Sequence, residues 1–448
     1  MAEANELLAE FVEAACVPLD SGHATGTLER AEAVLAAHPE VARAGIWAAA
    51  ILGDDAGVRR FLAADEGSAA REDGPRSWDP LTYLCFSRYL RLDRGRSEAF
   101  VRTAAALIDA GASPDTGFTR DGELETAIYG AAGVAHHAGL TRLLLERGTD
   151  PNDGETVYHA PEGYDNAALE ALVQSGRLSD DSLTVMLVRK HDWHDHDGVR
   201  WLLEHGADPN RASRWGQTAL HQALRRDNAL PIVELLLDNS ADPRIEWRGV
   251  SAVAMAARAG RGDVLELLAR RGFATAQAGV LGLIAACATN DAALARAIAE
   301  REPELVVELL ADGGELLAEF AGVGNTEGVR LLLDLGVPVD ARYEAGDGYF
   351  DVAKDSTALH VAAWRAWPAT LKLLIERGAS VAARDARGRT PLALAVRACV
   401  DSYWTERRSP ESVAALLSAG APASDAPFPS GYAEVDELLR SRGCSDPA

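Results

Sequence analysis

Apolar positions along 214–244, RWGQTALHQALRRDNALPIVELLLDNSADPR, fall into two short blocks at helical spacing. Leu220 and Ala223 stand at i, i+3, and Val233, Leu236 and Leu237 make an i, i+3, i+4 stripe. Each block therefore predicts a helix with one apolar face and one wet face. Gly216 opens a turn, Thr218 starts the first helix, and Ser240 closes the second. Isolated helices shorter than roughly 12–15 residues are marginal in water, so neither stands by itself. Packed as a pair they still leave apolar surface bare, which makes the pair the unit of a stacked array.

The closing small residue tracks the repetition. Gly111, Gly148, Gly176, Gly206, Ser240, Gly272, Gly336, Gly378 and Gly420 are separated by 37, 28, 30, 34, 32, 64, 42 and 42 residues. The step of 64 is two units of about 32, giving ten closing positions over 111–421 with one inferred. Within the units, Thr218-Ala219-Leu220-His221, Thr357-Ala358-Leu359-His360-Val361-Ala362-Ala363 and Thr390-Pro391-Leu392-Ala393-Leu394-Ala395 open the first helix, and Leu202-Leu203-Glu204-His205-Gly206-Ala207-Asp208 ends a second. These stretches resemble the T-P-L-H-x-A-A and L-L-x-x-G-A-D signatures of ankyrin repeats, whose period is near 33.

The resemblance implies an all-α ankyrin-repeat solenoid of about eleven helix-turn-helix units with short hairpin turns. A Thr hydroxyl can cap each first helix, and Gly accepts the left-handed conformation after each second helix. It also implies that His221 and His360 hydrogen-bond turn backbone. The chain reads as one continuous array: a cap and degenerate unit over 1–75, repeats over 76–275, degenerate repeats over 276–340, and repeats with two insertions and a C-terminal cap over 341–448. The degenerate part has no T-P-L-H, and the insertions are 343–355 and 399–410.

Acidic residues number 68 against 44 basic, a net charge of −24. That balance speaks against binding a phosphate backbone, which needs clustered Lys and Arg, and favours a neutral or basic protein partner. Lysine occurs at positions 190, 354 and 372 only, and with abundant Ala and Gly this usage predicts a GC-rich, bacterial genome. The five cysteines are scattered without disulfide or zinc spacing. Apolar runs such as 280–288 fall short of the roughly 20 residues a membrane span needs. With no basic leader, the expectation is a cytoplasmic monomer that binds neither membrane nor nucleic acid.

Candidate chemistry concentrates in 126–226. Where an ankyrin unit carries small residues, this chain has AIYGAAGVAHH (127–137), TVYHAPEGYDNA (156–167) and MLVRKHDWHDH (186–196). If the period holds, these positions stack into a ridge on the face that binds partners in the family. The ridge comprises Tyr129, His136, His137, Tyr158, His159, His191, Trp193 and His194, continued by Trp215, Arg225 and Arg226, since Trp and Arg are over-represented at binding hot spots. His191-Asp192-Trp193-His194-Asp195-His196-Asp197 offers six potential metal ligands in seven residues. It reads three ways: a metal or small-ligand site of a metal-dependent or hydrolytic enzyme, a partner-binding loop, or a solvated turn in which Asp195 or Asp197 caps the next helix. No G-x-S-x-G, Walker loop or H-E-x-x-H is present, so a non-catalytic protein-binding module without cofactor or metal is the expectation.

Overall fold

The computed structural model describes residues 2–20, 22–23 and 25–444. They fall into two compact units, Met1–Ala241 and Asp242–Ala448. Their boundary lies inside the S-A-D-P-R turn.

In the first unit, helices Ala2–Ala15 and Glu29–Ala37 precede six helix pairs. The pairs are Ile46–Ile51 with Asp55–Ala64, Pro80–Cys85 with Ser97–Asp109, a π-helical turn Tyr129–Val134 with Ala138–Glu146, Gly154–His159 with Ala167–Gln174, Asp180–Lys190 with His196–Glu204, and Ala219–Arg225 with Leu230–Asp238. First helices touch first helices, as in Pro80–Cys85 against Ile46–Ile51 and Asp180–Lys190 against Gly154–His159, and second helices likewise meet second helices. The apolar stripes supply the shared core: Leu140, Leu144, Val199, Leu202, Val233 and Leu236 are fully buried. Burying such a side chain stabilises by about 1.5–3 kcal/mol, which is how helices of six to nine residues persist.

The second unit holds five more pairs, one extra helix between them and one after the last. The pairs are Ala252–Arg258 with Gly262–Arg270, Gly279–Ala288 with Ala292–Arg301, Gly313–Gly322 with Thr326–Asp334, Ala358–Trp364 with Pro368–Glu376, and Pro391–Asp401 with Glu411–Ser418. Eleven pairs are thus present among the described residues, the ten that the closing positions mark and the degenerate one before them. The extra helix, Pro303–Ala311, explains why the sequence loses its signature between 272 and 336. Helix Ala433–Arg440 follows the last pair.

The closing residues do what their chemistry allows. Gly206 has φ +96° and Ser240 φ +68°, and every other closing glycine read from the sequence also lies in the left-handed region. At the other end of each unit, Thr218 with His221 and Thr357 with His360 form capping boxes. His360 accepts from the Thr357 backbone N–H at Nδ1 (3.1 Å), while its Nε2 faces the carbonyls of Ala383 and Arg389 at 3.1 Å, so one buried ring joins a helix start to the following turn. Three antiparallel hairpins are the only strand pairs among the described residues, the longest pairing Gly117–Arg120 with Glu123–Thr126.

One carboxyl of the second unit is raised well above the usual range by its surroundings. Burial lifts Glu319 to about 7, against the hydrogen bond donated by the Tyr343 hydroxyl (3.0 Å) and with Asp347 and Glu315 adding to the rise. A folded-state pKa above the unfolded one means stability is complete below about pH 4.5 and is lost as pH rises through 7. Glu319→Gln keeps an oxygen for Tyr343 and is expected to stabilise this unit by about 1–3 kcal/mol at pH 8, with no gain at pH 4. Guanidinium denaturation at the two pH values checks this.

Candidate functional site

Three consecutive helix pairs of the first unit bring part of the expected ridge together. Tyr158 lies near the end of helix Gly154–His159, Arg189 near the end of Asp180–Lys190, and Arg214 with Trp215 in the turn before Ala219–Arg225. The Arg189 guanidinium stands 3.9 Å from the Tyr158 ring centroid and that of Arg214 stands 5.5 Å from it. Trp215 meets Tyr158 edge-on at 5.9 Å, with Arg214 4.6 Å from the Trp215 ring. A guanidinium over an aromatic face is worth about 0.5–2 kcal/mol, so the alternating cations and rings hold one another in place. Tyr158 is half-buried in this cluster, while Trp215 remains 38% exposed.

Beside the cluster, the Asp192 carboxylate accepts from Arg189, from Arg226 Nε (2.6 Å) and from Gln222 Nε2 (2.6 Å). One acid therefore ties the fifth helix pair to the sixth and sets where Arg226 points. Arg225, one residue earlier, is exposed. This network was not visible in the sequence, where Asp192 is one of many turn acids.

Other expected ridge residues turn inward. Tyr129 is 5% exposed because the π-helical turn rolls it onto Phe86 and His159, and its hydroxyl meets His23 Nδ1 at 3.2 Å. His137 is buried as the cap of helix Ala138–Glu146, its Nδ1 accepting from the Leu140 N–H (3.0 Å) and its Nε2 meeting Ser97 Oγ. His136 is largely covered, and burial lowers its imidazole to about 4. His191 is fully buried against Asn228 (Nδ1 to Oδ1 2.8 Å), and burial lowers it also to about 4. Tyr129, His136, His137 and His191 are therefore buried or largely covered, where the sequence led us to expect them on the surface.

The 191–197 stretch does not converge. His191 and Asp192 go to the partners above, His194 is exposed with φ +53°, and Asp195 caps helix His196–Glu204 through the Gly198 N–H (3.0 Å). Asp195 also receives the Lys190 ammonium at 2.8 Å and Asn166 at 2.9 Å, which hold its carboxyl below the usual range against the effect of burial. Asp197 faces solvent beside Arg200. Trp193 is half-buried. A ligand set does come together elsewhere: His159, half-buried, meets His23 and Glu162, two residues that carry no periodic signal in the sequence.

No helix among the described residues is long and apolar enough to cross a membrane. Against known families, residues 185–278 match a model of three consecutive ankyrin repeats, and 354–386 match the single ankyrin repeat. An 85-residue stretch is 40% identical to the serine/threonine-protein kinase 12 of Arabidopsis thaliana, covering 19% of this chain and 17% of that relative. The chain thus spans about a sixth of that kinase's length. The human ASB11 ankyrin repeat domain is a similar solved structure, 23% identical, covering 57% of this chain and 93% of that one at a TM-score of 0.23, too low to bear on shape. The helix pairs, their left-handed closing residues, the Thr–His capping boxes and the two family matches agree: the chain carries ankyrin repeats, matched over 185–278 and 354–386.

Proposed function

We propose that the first unit is a non-catalytic module that displays Tyr158, Trp193, His194, Trp215, Arg225 and Arg226 to a partner protein. The observation that carries this reading is the cluster in which Trp215, still 38% exposed, is braced by Arg214 and Tyr158. An aromatic held in position before the encounter loses little conformational freedom on binding, so more of its contact energy appears as affinity. Trp and Arg anchors of this kind dominate measured interfaces. The acidic excess of the whole chain favours a partner whose surface is neutral or basic.

The test is co-purification from the native host, followed by titration of the recovered partner. Trp215→Ala is expected to weaken binding by about 2 kcal/mol, roughly 30-fold in Kd, and Arg225→Ala by less, both with unchanged circular dichroism. A Kd that neither substitution moves would remove this surface from the function.

A further inference from the structure

We propose that His23, His159 and Glu162 form a binding site for one divalent metal ion of the zinc class. Their ligand atoms all lie within 4.8 Å of one another. His23 Nε2 is 3.6 Å from Glu162 Oε2, and His159 Nδ1 is 2.8 Å from Glu162 Oε1. A tetrahedral ion with ligands at about 2.0–2.2 Å sets neighbouring ligand atoms roughly 3.3–3.5 Å apart, and the 3.6 Å between His23 Nε2 and Glu162 Oε2 is close to that value. Two imidazoles and a carboxylate suit zinc, with water in the fourth position. The three side chains are 15–20% exposed, so an ion can enter and keep a water.

What raises this trio above a chance cluster is the other nitrogen of each ring. His23 Nδ1 faces the Tyr129 hydroxyl at 3.2 Å, and His159 Nε2 faces the Glu155 carboxylate at 3.2 Å. With each of those nitrogens carrying the proton, the lone pairs of His23 Nε2 and His159 Nδ1 both point at Glu162. That is the arrangement by which outer carboxylates and hydroxyls orient metal-binding histidines. Arg189 donates to Glu162 Oε1 at 3.3 Å, which leaves Oε2 as the oxygen for the ion. A bound ion held by His23 Nε2, His159 Nδ1 and Glu162 Oε2 ties the loop after helix Ala2–Ala15 to the fourth helix pair. This site involves none of the residues proposed to meet a partner, so either idea can fail without the other.

The experiment is calorimetric titration of the metal-stripped full chain with zinc chloride, repeated with cobalt(II) to read coordination from its visible d–d absorption. The expected result is one equivalent per chain with a tetrahedral cobalt spectrum. His23→Ala and Glu162→Gln, with unchanged circular dichroism, are each expected to weaken binding at least 100-fold. Glu155→Gln, which touches no ion, is expected to weaken it about 10-fold, and His194→Ala not at all. Absence of binding at millimolar zinc, or binding that survives both His23→Ala and Glu162→Gln, overturns the assignment.

Discussion

Lys190→Ala is expected to destabilise the first unit by about 3–5 kcal/mol, the cost of leaving a buried ion pair with one member. The Lys190 side chain is fully buried, and its ammonium meets Asp195 Oδ2 (2.8 Å), the Gly163 carbonyl (2.7 Å) and the Pro161 carbonyl (3.1 Å). The three acceptors match the three protons of the ammonium, so truncation takes the cation from a carboxylate left with only Asn166 and the Gly198 N–H, and the donor from two carbonyls. Those carbonyls belong to the turn that carries Glu162, and Asp195 caps the next helix. The fit is tight enough to dictate a neighbour: a Cβ at Gly198 would stand 2.1 Å from Lys190 Cε. Urea titration of the two proteins checks the prediction, and a difference below about 1 kcal/mol would show that water reaches the site. Combining Lys190→Met with Asp195→Asn is expected to recover part of the loss, because no unpaired charge remains.

Stability is expected to fall by several kcal/mol as pH drops from 6.5 to 4.5. Burial lowers the imidazoles of His136, His191 and His360 from 6.5 to about 4 in the folded chain. Each folded form favours the neutral ring, so its contribution is complete above pH 6.5 and disappears as pH falls through 4. A shift of this size corresponds to about 1–3 kcal/mol per ring. In His360 the geometry acts in the same direction as burial, since protonating Nδ1 would turn the acceptor of the Thr357 N–H into a second donor. His191 is opposed by Asn228 and Asp192, and His136 by Glu162 and Asp165, without reversing the effect of burial. Asp195, Asp263 and Asp385, whose partners hold them below 3.8, act only at lower pH, and Glu319 has the opposite sign over about 4.5–7. Thermal unfolding of Glu319→Gln between pH 7 and 4.5 therefore removes the largest opposing carboxyl, leaving Glu125 and Asp153, which burial also raises, against the histidines, which His137 joins because burial lowers it too. His191→Gln in that background should shrink the pH dependence, and a flat profile in the parent would contradict the account.

The fold was legible because its determinants are local. A residue that must sit at positive φ, such as Gly206 or Ser240, and a Thr–x–x–His cap leave marks in the sequence wherever they recur. The stripe Val233, Leu236, Leu237 likewise needs only the helical period to be read. The site was legible in part, through Tyr158 and Trp215, because their positions follow from the same period. Tyr129 was not, because a π-helical turn breaks the 3.6-residue phase that would have kept it on the surface. His137 and His191 failed for a related reason: polar residues at helix ends look alike whether they face water or close a turn. His23 and Glu162 lie in irregular segments 139 positions apart, so their meeting is a tertiary fact with no periodic trace.

The central claim is that the Tyr158–Trp215 face is where a partner protein docks. A photo-cross-linking residue placed at position 215, with a control at the 87% exposed Tyr403, addresses it most directly in the native host's extract. The account predicts a single covalent adduct from position 215 that free wild-type chain competes away, and none from 403. Adducts from 403 with none from 215 would contradict it.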